Sequence, residues 1–195
     1  MDDFKLDLAC GSSKKEGFYG VDVSDKVGAD LVFNLMTFPW PWSDSSVDEI
    51  HCSHFIEHLP MIEIDGKDML FRFFDECYRI LKPEGLITIV TPNARCNRAF
   101  QDPTHRRFIV AETFLYLAKE WRVLNKLDHY NVDCDFATTV DPIVMSEMTL
   151  LHPEAQNRRF NGEWNTILDW QAKMVSKKET SKMNIEEIKN DGVER

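Results

Sequence analysis

Short apolar runs, each broken off by small and polar residues, open the chain. Phe4 to Leu8 is apolar-rich and runs into Ala-Cys-Gly-Ser-Ser, the pattern of a buried strand entering a tight turn. Phe18 to Val23 (FYGVDV) repeats that form, and Asp30 to Phe33 (DLVF) predicts a third, shorter strand. Pro39-Trp40-Pro41-Trp42 followed by Ser43-Asp44-Ser45-Ser46 reads as a loop, because prolines and small polar residues disfavour helix and central strand alike. Val47 to Cys52 (VDEIHC) predicts a fourth strand. Between Lys67 and Leu81 the period changes: Met69, Leu70, Phe73, Phe74, Cys77, Ile80 and Leu81 recur at helical spacing, giving an amphipathic helix ended by Lys82-Pro83-Glu84-Gly85. Leu86 to Val90 (LITIV) is β-branched, uninterrupted and bounded by turn residues, so a fifth strand buried on both faces is expected.

Beyond it a second helix is predicted over Val110 to Trp121, and Asn131 to Thr139 and Ile167 to Val175 read as strands able to pair as a C-terminal antiparallel hairpin. Ser146 to Asn165 fits neither period. Residues 177–195 form a lysine- and glutamate-rich tail, expected to be mobile, with a short surface helix around Ile185 to Ile188. Alternating strands and helix predict an α/β fold: one domain over 1–176 with a doubly wound, mostly parallel Rossmann-like sheet, its ligand site outside the carboxyl ends of the strands. One connection is too short for that scheme. Nine residues separate Leu8 from Phe18, fewer than the dozen or so that a helical crossover needs, so the first helix is truncated or absent.

Composition narrows the function classes. The 195 residues are 43% apolar and 29% charged, the balance of a globular protein, with a formal net charge of −10. That charge repels phosphate backbones and anionic membranes, so non-specific nucleic-acid binding is not expected; Lys14-Lys15, Arg106-Arg107 and Arg158-Arg159 are the local basic exceptions. Five cysteines without CxxC spacing argue against a disulfide framework and a zinc knuckle, and fit a reducing cytoplasm, a host's cytoplasm if the chain is phage-encoded. No apolar run approaches the roughly 18 residues of a membrane span, and MDDFKLD is too acidic for a signal peptide.

Candidate chemistry collects at predicted strand ends. A small-residue turn after a strand lets backbone approach a ligand, which singles out Asp7, Ala9, Cys10 and Gly11. Asp22, ending the next strand, stands where a carboxylate takes ribose hydroxyls in nucleotide-binding α/β folds. Asn34-Leu35 and Ser53-His54 follow strands three and four. With LDLACG, GVD, FPWPWSDSSVDEIHCSHFIEHL and YRILKPEGLITIVTPN in this order, the stretch from Lys5 to about Thr104 resembles the class I methyltransferases that use S-adenosylmethionine (SAM), especially small stand-alone members of bacterial and phage type. The resemblance implies that Asp7 and Ala9 to Gly11 hold the methionine part of SAM and that Asp22 takes the ribose. It further implies that Asn34 and Leu35 lie beside the adenine, with Ser53 and His54 near the transferable methyl, and S-adenosylhomocysteine (SAH) as product. DPTH, Asp102 to His105, also resembles a segment after strand five of such enzymes. Two departures stand out: a single glycine in the first turn, and no residues before Phe4 for covering helices. A more open site is therefore expected, or one closed by the segment after strand five or by a second subunit of a homodimer.

For an oxygen or nitrogen acceptor a base is needed, and His58, His54 and His105 are the candidates, His58 first. Phe38, Trp40, Trp42, Phe100, Phe108 and Trp121 are candidate pocket aromatics, and His105-Arg106-Arg107 a candidate anchor for an acidic substrate group. No DPPY- or NPPY-like motif follows strand four, which turns the reading away from amino-methylated DNA and toward a small-molecule or protein acceptor. Three alternatives remain: a SAM- or nucleotide-binding module without catalysis; a zinc hydrolase, since His54-Phe-Ile-Glu57-His58 spells H-x-x-E-H; and a nicotinamide oxidoreductase, against which G-x-G-x-x-G is missing.

Overall fold

The computed structural model describes residues 3–179, and in it the apolar runs become one seven-stranded sheet. Its strands are β1 (Lys5–Leu8), β2 (Tyr19–Asp22), β3 (Leu31–Val32), β4 (Val47–Ser53), β5 (Leu81–Pro92), β6 (Phe136–Val144) and β7 (Ile167–Ser176). They lie in the order β3-β2-β1-β4-β5-β7-β6. The first five are mutually parallel, and β7 runs antiparallel to both of its neighbours, so the doubly wound sheet and the C-terminal antiparallel pairing are both present. Inward positions of the central strands, among them Leu6, Leu8, Val21, Ile50, Ile87 and Ile89, are fully buried. Against them packs α1 (Met69–Ile80), whose Phe73, Phe74, Cys77 and Ile80 form the buried stripe that the helical spacing announces.

The helix starts two residues later than its period suggests. Asp68 caps it by accepting from the Leu70 amide at 2.8 Å, while Lys67 and Asp68 pair with Glu63–Ile64 in a two-stranded ribbon. The predicted helix over Val110–Trp121 is a larger correction. Residues Ala111–Leu117 form a 3₁₀ segment and a separate helix, α2, spans Lys119–Leu124. The break falls at extended Ala118, after which the Lys119 amide donates to Asp135 Oδ1 rather than into the preceding turn. Buried Arg122 then ties this region to the approach to β6 by donating to the carbonyls of Tyr116, Val132 and Cys134. The strand expected over Asn131–Thr139 lies further on, at Phe136–Val144. The unplaced stretch holds a 3₁₀ turn (Ser146–Leu150) and α3 (Pro153–Gly162), a polar helix with no buried residue and hence no apolar period.

No helix joins β1 to β2. The connection is stapled by side chains instead: Lys14 pairs with Asp30 at 2.8 Å and lies across Gly20, and Lys15 sits 4.4 Å over the Phe18 ring. Among the described residues no helix is long and apolar enough to cross a membrane. Of the polar tail, Lys178 donates to the carbonyls of Arg79 and Leu81; residues 180–195, with the surface helix expected there, lie outside the described residues.

Candidate functional site

β1 and β4 end side by side, Leu8 against Cys52, and each chain leaves the sheet through a non-glycine residue in the left-handed region: Ala9 at φ 54° and His54 at φ 54°. That conformation costs about 1–2 kcal/mol for an L-residue and concentrates where a site demands it. Gly11, at φ 53°, continues the turn, and a Cβ there would meet open space. Between the two strand ends opens a cavity of about 390 Å³ lined by Asp7, Ala9 to Ser13, His51, Ser53 and His54. Six residues singled out in the sequence therefore share one wall or the other: Asp7, Ala9, Cys10, Gly11, Ser53 and His54.

Buried Asp7 accepts from the Lys15 amide at 2.7 Å, and its other oxygen lies 2.7 Å from His51 Nδ1. His51 lines the cavity and escaped sequence reasoning, because a histidine at an alternating position of VDEIHC looks like any half-exposed strand residue. Asp22 braces the glycine turn, its Oδ2 accepting from the Gly11 amide at 3.0 Å and its Oδ1 from the Ser24 amide at 2.9 Å. Each oxygen keeps a lone pair for a hydroxyl donor. Asn34 and Leu35 stand apart from this cavity's lining: Asn34 forms an Asx turn to the Met36 amide, and Leu35 is buried in the core with its carbonyl accepting from Trp40 Nε1. Asp22 likewise lies outside the cavity's lining and reaches it through the Gly11 amide, so the donor set that fits SAM is open small-residue backbone with the Asp7 carboxylate on one wall, and serine and histidine on the other.

His54 is half-exposed on the cavity rim, with Nδ1 3.3 Å from the Glu57 carboxylate, which raises its pKa while burial opposes the shift. Glu57 is only 1% exposed; it accepts from the Thr91 hydroxyl at 3.0 Å, and its carbonyl takes the amides of Arg106 and Arg107. Nearby, Arg98 pairs with buried Asp169 at 2.6 Å. Thr91, Arg98 and Asp169 carry no local motif and are brought in by β5, the short helix Arg98–Gln101 and β7.

His58 and His105 are not among that cavity's lining residues; their rings pack edge to face at 4.7 Å. H-x-x-E-H does not form its usual helical face, because left-handed His54 precedes a single 3₁₀ turn over Ile56–His58. At least one residue of each basic pair meets a carboxylate: Lys14 meets Asp30, Arg107 meets Asp68 at 3.0 Å, and Arg159 meets Glu163 at 2.7 Å. Of the candidate pocket aromatics, Trp40 is core, whereas Phe100 and Phe108 are exposed and stacked at 4.5 Å, with Trp164 at 6.0 Å from Phe100. All five cysteines are buried and free, and burial raises the thiol pKa of Cys10, Cys52 and Cys77, so they stay protonated.

Residues 6–89 match the family model described as a methyltransferase domain. A SAM-dependent methyltransferase from Archaeoglobus fulgidus shares the fold at 19% identity over 89% of this chain and 86% of its own, with a TM-score of 0.62. One from Methanosarcina mazei shares it at 18% identity over 91% and 94%, TM-score 0.52. The plantazolicin methyltransferase BpumL, solved with SAH, shares it at 13% identity over 90% and 76%, TM-score 0.50. No curated protein matches the chain.

Proposed function

We propose that this chain, a class I SAM-dependent methyltransferase in domain and fold, methylates an oxygen or nitrogen of a small molecule or protein side chain, with His54 removing the acceptor's proton. One observation carries the reading: two left-handed residues, Ala9 and His54, open adjacent strand ends onto one cavity, backbone cradle on one side and histidine–carboxylate pair on the other.

Asp7, the Ala9–Gly11 backbone and Asp22 would hold SAM, which when bound supplies a sulfonium methyl that is already electrophilic. The chain's own work is then alignment and proton removal. His54 turns Nδ1 toward Glu57, leaving Nε2 to accept a proton, and the buried carboxylate stabilises the imidazolium that results. Ser53 and His54, on the rim of β4, would hold the acceptor atom facing the cradle. The net charge of −10, and the carboxylate partners of Lys14 and Arg107, support an acceptor other than nucleic acid. Phe100, Phe108 and Trp164 offer exposed aromatic surface for a ring-bearing or apolar acceptor.

Calorimetry with SAM and SAH on the parent chain and on Asp22→Ala tests the cradle. Losing the ribose partner is expected to weaken binding by roughly 1–3 kcal/mol, the scale of a buried hydrogen-bonding group left unpaired. Equal affinities would place the cofactor elsewhere. Conversion of SAM to SAH in the presence of cell extract tests the reaction, and binding without turnover would leave a non-catalytic module.

A further inference from the structure

We infer that Glu57, His58 and His105 form a site for one divalent transition-metal ion with nitrogen and oxygen preference, such as zinc. A carboxylate oxygen of Glu57 and one ring nitrogen from each histidine lie within 4.8 Å of one another. Two imidazoles and a carboxylate are a common zinc donor set, and three protein ligands leave a position open.

Hydrogen bonds fix the tautomers that ligation needs. His105 Nδ1 lies 2.9 Å from the Ala99 carbonyl, which can only accept, so Nδ1 carries the proton and Nε2 keeps its lone pair. His58 Nδ1 lies 3.0 Å from Thr104 Oγ1, whose own proton goes to Asp102 Oδ1 at 2.7 Å; the threonine oxygen therefore accepts from His58, and again Nε2 is left free. Such outer partners are those that metal-binding histidines use.

The charges balance as well. Glu57 is 1% exposed; its Oε2 accepts from Thr91, and its Oε1 meets only His54 Nδ1, at 3.3 Å. Asp102 spends Oδ1 on both bonds from Thr104, while its Oδ2 lies 4.0 Å from His105 Nε2. Two carboxylates, one of them shared with His54, stand beside the two imidazoles and suit a divalent cation. The neighbouring cations are engaged elsewhere: Arg107 on Asp68, Arg98 on Asp169, and Arg106 on the Pro103 carbonyl. Glu57 and His58 follow β4 and His105 follows β5, so the ion would clamp together two segments that flank the strand ends. The site shares Glu57 with the His54 pair, so a bound ion would compete with His54 for that carboxylate, but it does not depend on which acceptor is methylated.

The test is titration of the chelator-treated full chain with Co²⁺, followed by competition with Zn²⁺. Expected are one ion per chain, weak ligand-field bands without thiolate charge transfer, and a rise in melting midpoint of about 5 °C or more at hundredfold excess over Kd. His58→Gln and His105→Gln should each weaken binding at least tenfold; His129→Gln, an exposed histidine elsewhere, should not. Should the first two variants fail to fold, Thr104→Val removes only the partner of His58 Nδ1 and is expected to weaken binding by about 10- to 100-fold. Absent binding, thiolate bands, or an affinity indifferent to all three changes would overturn the site.

Discussion

At the scale of single residues, the Glu57–His54 pair makes a claim about pH. The carboxylate raises the pKa of His54 above its ordinary 6.5, and burial pulls the other way. A base must be neutral to act, so initial rates of methyl transfer should rise with pH through a midpoint above 6.5. Glu57→Gln should move that midpoint down and reduce the maximal rate; a profile flat through this range would remove His54 from the proton step. Stability runs the other way. The protonated His54–Glu57 contact stabilises the fold fully below the unfolded histidine value and is lost as pH rises through the folded one. Much of this site was legible because the cradle is local: Asp7, Ala9, Cys10 and Gly11 are contiguous or nearly so, and Ser53-His54 ends a strand whose pattern is plain. His51, Thr91 and Asp169 were not, because each matters through a partner 34 to 71 positions away, a distance that no periodicity encodes.

Among the elements, the connection between β1 and β2 shows how a fold of this kind stands without its first helix. The aliphatic stem of Lys14 packs over Gly20 of β2: a Cβ there would meet Lys14 Cδ at 2.5 Å and Cys10 Sγ at 3.0 Å. Gly20→Ala is therefore expected to destabilise by about 1–3 kcal/mol, the usual cost of overpacking, measured by urea unfolding. In a Lys14→Ala background the same change should cost clearly less, since the colliding stem is gone. Strictly additive costs would mean that Lys14 merely lies over the strand without covering it. The short connection itself was readable by counting residues, and the strands by their apolar runs. The two-piece segment at 111–124 was misread because its apolar residues recur at nearly helical spacing while the backbone is committed elsewhere, through Lys119 to Asp135 and Arg122 to three carbonyls. α3 was invisible for the opposite reason, having no buried face to leave a period.

Across the whole molecule, the matched stretch 6–89 supplies five parallel strands, yet the sheet does not close on it. β5 pairs with β7 from Leu86↔Val175 to Pro92↔Asp169, and β7 brings Ala172 and Met174 into the same core as Ile87 and Ile89. A chain ended after Leu127 would keep every strand of the matched stretch but leave β5, an apolar strand, as an open edge of unpaired amides and carbonyls. Exposed apolar edges recruit other chains, so this truncation is expected to aggregate rather than to form a smaller domain. Residues 3–179 of the full chain should instead unfold as one cooperative unit, with far-ultraviolet dichroism and tryptophan fluorescence tracing coincident urea curves. Trp170 on β7 and Trp40 beneath α1 lie at opposite ends of the chain's order and report on the same sheet, which makes fluorescence a fair probe of both halves. Two separate transitions, or a soluble truncated monomer with native-like dichroism, would show that the hairpin is an appendage. Coincidence would mean that the antiparallel strand is part of what holds β4 and β5, and with them Ser53, His54 and Thr91, in place.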